Sequence, residues 1–334
     1  MNTSTALKTI ALCAAMSLNV NTFAQKAPKG GLKISDELIG IFFEDISNSA
    51  DGGLNAELVQ NGSFEFNPTM RDGWGPATAW TFQRPGHSAG YINFATDSPL
   101  NANNPTYMRI HAERVGHYYD FDGWTGVGLL NNGYNGMNVK AGENYDFSVF
   151  FRNRDKGDKP VRVVLTGKDK KVLAEHTFTV QGNEWKKYSA TLTASEACPN
   201  ASLQILVLET GELDVDMVSL MPQNTFKGHG LRKDLVEALQ ALHPKFMRFP
   251  GGCVVHGGGD GFWNTYRWKT TVGPKEQRKA LKNTWGYCQS MGLGYYEYFQ
   301  LCEDLNMQPV PILPCGVSCQ GVNGGWGMKG QAQK

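Results

Sequence analysis

Two short stretches of this chain bring residue types that do chemistry to positions where strands end. Leu38-Ile39-Gly40-Ile41-Phe42-Phe43 is an apolar run that stops at two acids, Glu44 and Asp45. Lys245-Phe246-Met247-Arg248-Phe249 reads as a short strand, and it runs into Pro250-Gly251-Gly252-Cys253. If both strands lie in one parallel sheet or barrel, a carboxylate at one strand end and a guanidinium on the next converge on the same face. An arginine there can hold a carboxylate through a bidentate contact and lower its pKa. The two glycines allow a tight turn and a close backbone approach to a ligand. An internal ion pair beside a tight turn accounts for the same residues equally well, so the residues alone leave both readings open. Cys253 and His256, with Cys315 and Cys319 downstream, fit no closed zinc spacing, and no metal is expected.

These residues need elements to position them. A continuous apolar run such as 38–43 suits a strand buried on both faces, and two acids at its end are costly to bury without partners. From about Gln60 to Pro222 the texture becomes all-β. Tyr145-Phe147-Val149-Phe151, Val161-Val163-Leu165 and Leu203-Ile205-Val207 place apolar residues at period two, separated by turn clusters at 154–160 and 181–183. Short strands with frequent turns predict a β-sandwich. After Pro222 helix and strand alternate. Leu231, Leu235, Val236, Leu239 and Leu242 form one helical stripe. Tyr298, Leu301, Cys302 and Leu305 form a second, with Glu297, Gln300, Glu303 and Asp304 on the other, polar face, where Glu303 and Asp304 read as solvated. Val310-Pro311-Ile312-Leu313 reads as a further strand, tolerable only where the missing proline N–H groups fall outside the ladder. This alternation is the grammar of a parallel barrel or a doubly wound sheet.

Charge balance removes some function classes. Lys and Arg total 32 against 31 Asp and Glu, which gives no electrostatic footprint for nucleic acid or an anionic membrane, whereas a neutral glycan fits. The first residues read as an export signal: Lys8, an apolar stretch from Thr9 to Leu18, and a small-x-small site at Thr22-Phe23-Ala24. Export to the periplasm or the extracellular space is expected. Cys13 lies inside that signal, and the six cysteines after it are too sparse for a disulfide-built domain. Some are expected as buried thiols, with pairing open.

Longer motifs then carry a resemblance. Leu38 to Ile46, Gly52-Gly53-Leu54-Asn55-Ala56-Glu57-Leu58-Val59-Gln60-Asn61, Leu231 to Val236, and Phe246 to Val255 resemble glycoside hydrolase family 51 α-L-arabinofuranosidases. So do Tyr266-Arg267-Trp268-Lys269, Val272-Gly273-Pro274, Trp285-Gly286-Tyr287 and the run from Gly292 to Asp304. The segment beginning Asn61-Gly62-Ser63-Phe64-Glu65 is similar to the family 4/9 type of carbohydrate-binding module. The resemblance implies a mixed α/β plus all-β chain, an incomplete (β/α)8 TIM barrel interrupted by an inserted jelly-roll-like β-sandwich. The implied divisions are a signal peptide at 1–24, a first barrel strand segment at 25–59, the carbohydrate-binding-module-like sandwich at 60–222 and the start of the catalytic barrel at 223–334.

The resemblance also implies a retaining hydrolase of terminal α-L-arabinofuranosyl groups in arabinan, arabinoxylan or their oligosaccharides, without cofactor. Two glutamates would act as nucleophile and acid/base. Neither has a counterpart among these residues, so the chain alone is expected to be inactive. Carried over by position, Glu44 corresponds to a glutamate that hydrogen-bonds the sugar hydroxyls and Arg248 to an arginine that orients the nucleophile. Cys253 and Trp285 correspond to residues lining the sugar site. His256 departs from the pattern, standing where many relatives have Glu. The alternative is a non-catalytic glycan-binding protein working through aromatics of the sandwich, among them Trp74, Trp80, Tyr91, Tyr118, Tyr119, Trp124 and Tyr134.

Overall fold

The period-two segments all lie in strands of the computed structural model, which describes residue 31 and residues 33–116, 124–257 and 264–315. In chain order the strands are β1 (Ile41–Phe42), β2 (Trp80–Gln83), β3 (Ala89–Ala95), β4 (Tyr107–Arg114), β5 (Val127–Asn131), β6 (Met137–Val139), β7 (Asn144–Asn153) and β8 (Asp158–Thr166). They continue with β9 (Val172–Gln181), β10 (Lys186–Thr193), β11 (Cys198–Val207), β12 (Gly211–Pro222), β13 (Phe246–Phe249), β14 (Leu281–Asn283), β15 (Tyr287–Gln289) and β16 (Gln308–Pro311). Two α-helices are described, α1 (Lys233–Gln240) and α2 (Tyr295–Asp304).

Alternation decides which faces meet. One antiparallel sheet has the order β10-β7-β12-β4-β3, the other β2-β5-β11-β8-β9 with β6 paired to β11. Ile110, Phe147 and Val215 of the first sheet and Leu129, Val163 and Ile205 of the second are buried in one shared core. The two sheets are therefore held face to face by apolar burial at alternate positions. The other face of the five-stranded sheet is polar. Asn93 pairs with Arg109, Arg109 with Asp214, and Asp214 with Arg152 across four strands. Asp214 is fully buried there between Arg109 and Arg152, at 2.6 and 2.7 Å. The 96–106 connection folds over this face: Ser98 O accepts from Arg152 Nη1 and Trp185 Nε1, and Asp97 O from the Tyr107 hydroxyl.

Three parallel strands, in the order β1-β13-β16, form a separate sheet, with Ile41 opposite Met247 and Phe249 opposite Pro311. Phe43, Met247, Phe249, Val236, Tyr298 and Leu301 share its core. Phe249 stacks on Tyr298 at 4.9 Å between ring centroids. The third strand runs two residues earlier than read, Gln308–Pro311 in place of 310–313, and its prolines fall outside the ladder: the Gln308 and Ile312 N–H groups donate to Lys245 O and Phe249 O, so alternation turns positions 309 and 311 away from β13.

Several expectations are corrected. The first apolar run is not a strand buried on both faces. Only Ile41–Phe42 is extended in the sheet, Ile39 is 66% exposed, and Phe42 is 54% exposed with its ring against the Arg248 guanidinium. The first helical stripe overshoots at both ends, since Leu231 is buried ahead of α1 and Leu242 lies beyond it, 65% exposed. The acids of α2 are not all solvated. Glu297 is buried against Arg278, and the Asp304 carboxylate meets His229 Nδ1 at 2.8 Å and Lys227 Nζ at 3.3 Å. The export signal, Tyr118, Tyr119 and Cys319 lie outside the described residues. Among the described residues no helix is long and apolar enough to cross a membrane.

Candidate functional site

The C-terminal ends of β1 and β13 lie side by side because the strands are parallel, with Phe42 opposite Arg248. Each strand therefore delivers its next residues to the same side. After β1 the chain presents Glu44, half-buried, whose Oε1 accepts the Val254 N–H at 2.9 Å. After β13 the chain turns through Gly251 at φ +152°, where a Cβ would come within 2.6 Å of Glu44 Cγ. Glycine is required there both for the backbone angle and for the approach of the carboxylate. The turn leads into a single 3-10 turn, Cys253–His256, with Val254 and Val255 buried and Cys253 and His256 at intermediate exposure.

Glu44 and Arg248 do not form the ion pair that the strand ends allowed. The Arg248 guanidinium lies 4.5 Å from the Phe42 ring centroid, a cation–π contact between cross-strand neighbours, with no carboxylate within 4.0 Å among the described residues. Glu44 is held instead by a backbone N–H of the loop that carries Cys253.

Asp45, its neighbour, points the other way and is buried. Its Oδ1 accepts from Ala50 N at 3.0 Å and the Tyr287 hydroxyl at 3.1 Å, and Oδ2 from Gln289 Nε2 at 3.3 Å. Burial pushes its carboxyl up to about 6, opposed by these hydrogen bonds and reinforced by the nearby charge of Asp51. Its backbone carbonyl accepts from Asn283 Nδ2 at 2.9 Å and from the Tyr287 hydroxyl at 2.7 Å. Asp51 holds the same region through Ser290 N at 2.7 Å and Ser290 Oγ at 2.8 Å. The segment after β1 is thus fastened to the hairpin β14–β15, whose tip carries Trp285, 47% exposed.

Behind the hairpin, Arg278 makes a bidentate pair with Glu297, both contacts at 2.9 Å, and also donates to Met291 O and Gly273 O. The same Glu297 carboxylate accepts the Gly294 N–H at 2.8 Å, closing the first turn of α2 from its third residue.

The sequence-predicted residues therefore divide. Glu44 and the Cys253 loop are in direct contact, Trp285 is tied to the same strand end through Asp45, and Arg248 faces Phe42. The fastening residues Asp45, Tyr287, Gln289, Arg278 and Glu297 were not singled out for that role. Only Gly294 followed three residues later by Glu297 carried a local signal, that of a helix cap. Of the sandwich aromatics, Trp74 stacks on Phe66 at 4.4 Å, and Trp80 is buried with Nε1 donating to Asn61 O. Trp124 lies under Arg162, and the Tyr134 ring lies against Gly52. Tyr91 is half exposed and stacks on His111 at 4.2 Å. Among the described residues no group of three or more His, Cys, Asp or Glu is placed to hold a metal ion.

A family model described as the alpha-L-arabinofuranosidase 1 domain matches residues 238–332. An extracellular exo-alpha-L-arabinofuranosidase of Streptomyces chartreusis is 39% identical over 305 residues, covering 88% of this chain and 34% of that protein. Alpha-L-arabinofuranosidase 1 of Arabidopsis thaliana is 36% identical over 298 residues, covering 86% of this chain and 42% of that protein. A solved, arabinose-bound GH51 α-L-arabinofuranosidase superposes with a TM-score of 0.74 at 28% identity, covering 85% of this chain and 45% of that one. The chain thus spans less than half the length of these relatives. Matched in sequence and in structure over more than four-fifths of its own length, it is similar to a portion of these longer α-L-arabinofuranosidases, the solved GH51 one among them.

Proposed function

We propose that this chain forms the substrate-side wall of a retaining glycoside hydrolase that removes terminal, non-reducing α-L-arabinofuranosyl groups from arabinan, arabinoxylan and arabino-oligosaccharides. The observation that carries the reading is the state of Glu44. It stands half-buried at the end of a parallel strand, with Oε1 held by Val254 N–H and Oε2 accepting no hydrogen bond among the described residues. A carboxylate fixed by one oxygen, with no described residue bonded to the other, is suited to accept sugar hydroxyls. Trp285, exposed at its hairpin tip, offers an apolar ring to a sugar face, and the Cys253 loop supplies the floor beside Glu44. Arg248 would orient a nucleophilic carboxylate brought opposite it.

In this reading β1, β13 and β16 are strands of a (β/α)8 barrel. The two antiparallel sheets are a jelly-roll-like sandwich inserted at 60–222, between the 25–59 and 223–334 segments. The first 24 residues direct export. Neither catalytic glutamate has a counterpart among the 334 residues, so the chain by itself should release no arabinose. Turnover of an aryl α-L-arabinofuranoside by the 334 residues, abolished by Glu44→Ala, would overturn the assignment of roles. In a polypeptide holding these residues and both glutamates, Glu44→Gln should weaken substrate binding by at most about 3 kcal/mol, the range for a charged hydrogen bond. Labelling by a mechanism-based furanoside should survive the same change.

A further inference from the structure

The stretch 274–280 links the loops after β13 to the Trp285 hairpin, and a residue of the antiparallel sheets grips it. Asn104, in the 96–106 connection between β3 and β4, is buried at 2% exposure. Its Nδ2 donates to Arg278 O at 2.6 Å and to Glu276 O at 3.3 Å, while its Oδ1 accepts the Ala280 N–H at 3.0 Å. One amide side chain thus satisfies three backbone groups of alternating residues, as a neighbouring strand would. Only a group that both donates and accepts can do this. Arg278 is held at both ends, its carbonyl by Asn104 and its guanidinium by Glu297. β14 begins at Leu281, one residue after the last Asn104 contact.

Packing supplies only part of the constraint: Ala280 and Cys288 pack against Phe66 and Met70 in a small separate cluster. Beside these contacts lies a cavity of about 460 Å³ lined by Pro274, Lys275 and Ala280 and by Ser148 and Phe150 of the sheet. Where side chains do not interdigitate, position is set by the few directional contacts present. Asn103, next in line, adds one exposed bond to Gln277 O at 2.7 Å.

We propose that Asn104 is a positioning residue for the sugar site. It clamps 276–280 so that the hairpin, seated on Asp45 at its other end, holds Trp285 in register with Glu44. The antiparallel sheets then serve the site as a brace. The step from clamp to sugar rests on reading Trp285 and Glu44 as contacts for a neutral pentofuranose.

Hydrogen exchange of the full chain, followed by mass spectrometry, tests the clamp independently of any activity. In Asn104→Ala and in the isosteric Asn104→Asp, amides of 280–289 should exchange about ten-fold faster, with β7 amides unchanged. Asn104→Asp keeps the acceptor for Ala280 but sets a carboxylate oxygen against two carbonyls, so it should be no milder than Asn104→Ala. Asn103→Ala should move the same amides less than three-fold. Unchanged hairpin protection, or equal loss of protection in β7, would overturn the proposal. In an active polypeptide containing these residues, Asn104→Ala should raise KM for an aryl arabinofuranoside about ten-fold while kcat stays within two-fold. A fall in kcat at constant KM would overturn the link to Trp285. A wild type inactive on arabinofuranosides would remove the functional reading and leave the exchange result to decide the clamp.

Discussion

Replacing Asp45 with asparagine tests the fastening of β1 to the Trp285 hairpin through its pH dependence. Burial raises the Asp45 carboxyl from 3.8 to about 6 in the folded chain. The native state therefore keeps a proton over a range where the unfolded chain has released it. The stability contributed by this group is complete below about pH 4 and is lost as pH rises through 6. Two pKa units correspond to about 3 kcal/mol. Because Asp45 is 1% exposed, solvent screening takes little from that figure. A side-chain amide in its place has no proton to lose, and Asp45→Asn can keep acceptor contacts to Ala50 N and the Tyr287 hydroxyl if the Gln289 amide turns over. The difference in unfolding free energy between Asp45→Asn and wild type should thus be small at pH 4. It should move in favour of the variant by about 3 kcal/mol by pH 8, with most of the change between pH 4 and 6. Urea unfolding at constant ionic strength across this range measures it. Glu65, pushed up to about 7 by burial, acts with the same sign, so both proteins should go on losing stability up to pH 7. A difference that stays constant within about 1 kcal/mol from pH 4 to 8 would refute the argument that burial of Asp45 dominates its hydrogen bonds.

Arg278→Met leaves the buried Glu297 carboxylate without its cation, and urea unfolding should show a loss of about 3–5 kcal/mol, part of it recovered by adding Glu297→Gln. Gly251→Ala forces a Cβ against Glu44 at a backbone angle that L residues rarely adopt. It should cost about 1–3 kcal/mol in stability and displace the Glu44 carboxylate, read as weakened arabinose binding by calorimetry in a polypeptide that binds it. Phe249→Ala removes a fully buried ring that stacks on Tyr298 and should destabilise the parallel-strand core by about 3–5 kcal/mol, seen as an earlier unfolding step with the antiparallel sheets still intact by circular dichroism.

What the sequence disclosed follows from how local each cause is. Tyr145, Phe147, Val149 and Phe151 announce β7 because a half-buried strand repeats its environment every second residue, and all four side chains are buried. The prolines of β16 were legible for the same reason, since alternation alone says which N–H groups a parallel neighbour uses. Polar residues that fasten one segment to another leave no such trace. Glu297 looks like a member of a polar helix face, because its partner Arg278 lies 19 residues earlier in an irregular stretch. β14 and β15 are three residues each and bury Asn283 and Gln289, so neither periodicity nor hydrophobicity marks them. Asn104 sits in an asparagine-rich turn composition that reads only as a loop. The contact made by Glu44 was the least accessible of all. A carboxylate at a strand end suggests a charged partner, and Arg248 was the visible one. The group that holds Glu44 is the main-chain N–H of Val254, which nearly every residue possesses, so only the path of the backbone through Gly251 could select it. The cation–π contact of Arg248 with Phe42 follows from the same geometry. With its cross-strand neighbour supplying an aromatic face, and Glu44 engaged by the Val254 N–H, the guanidinium is held near the strand ends by the Phe42 ring, with no carboxylate within 4.0 Å among the described residues.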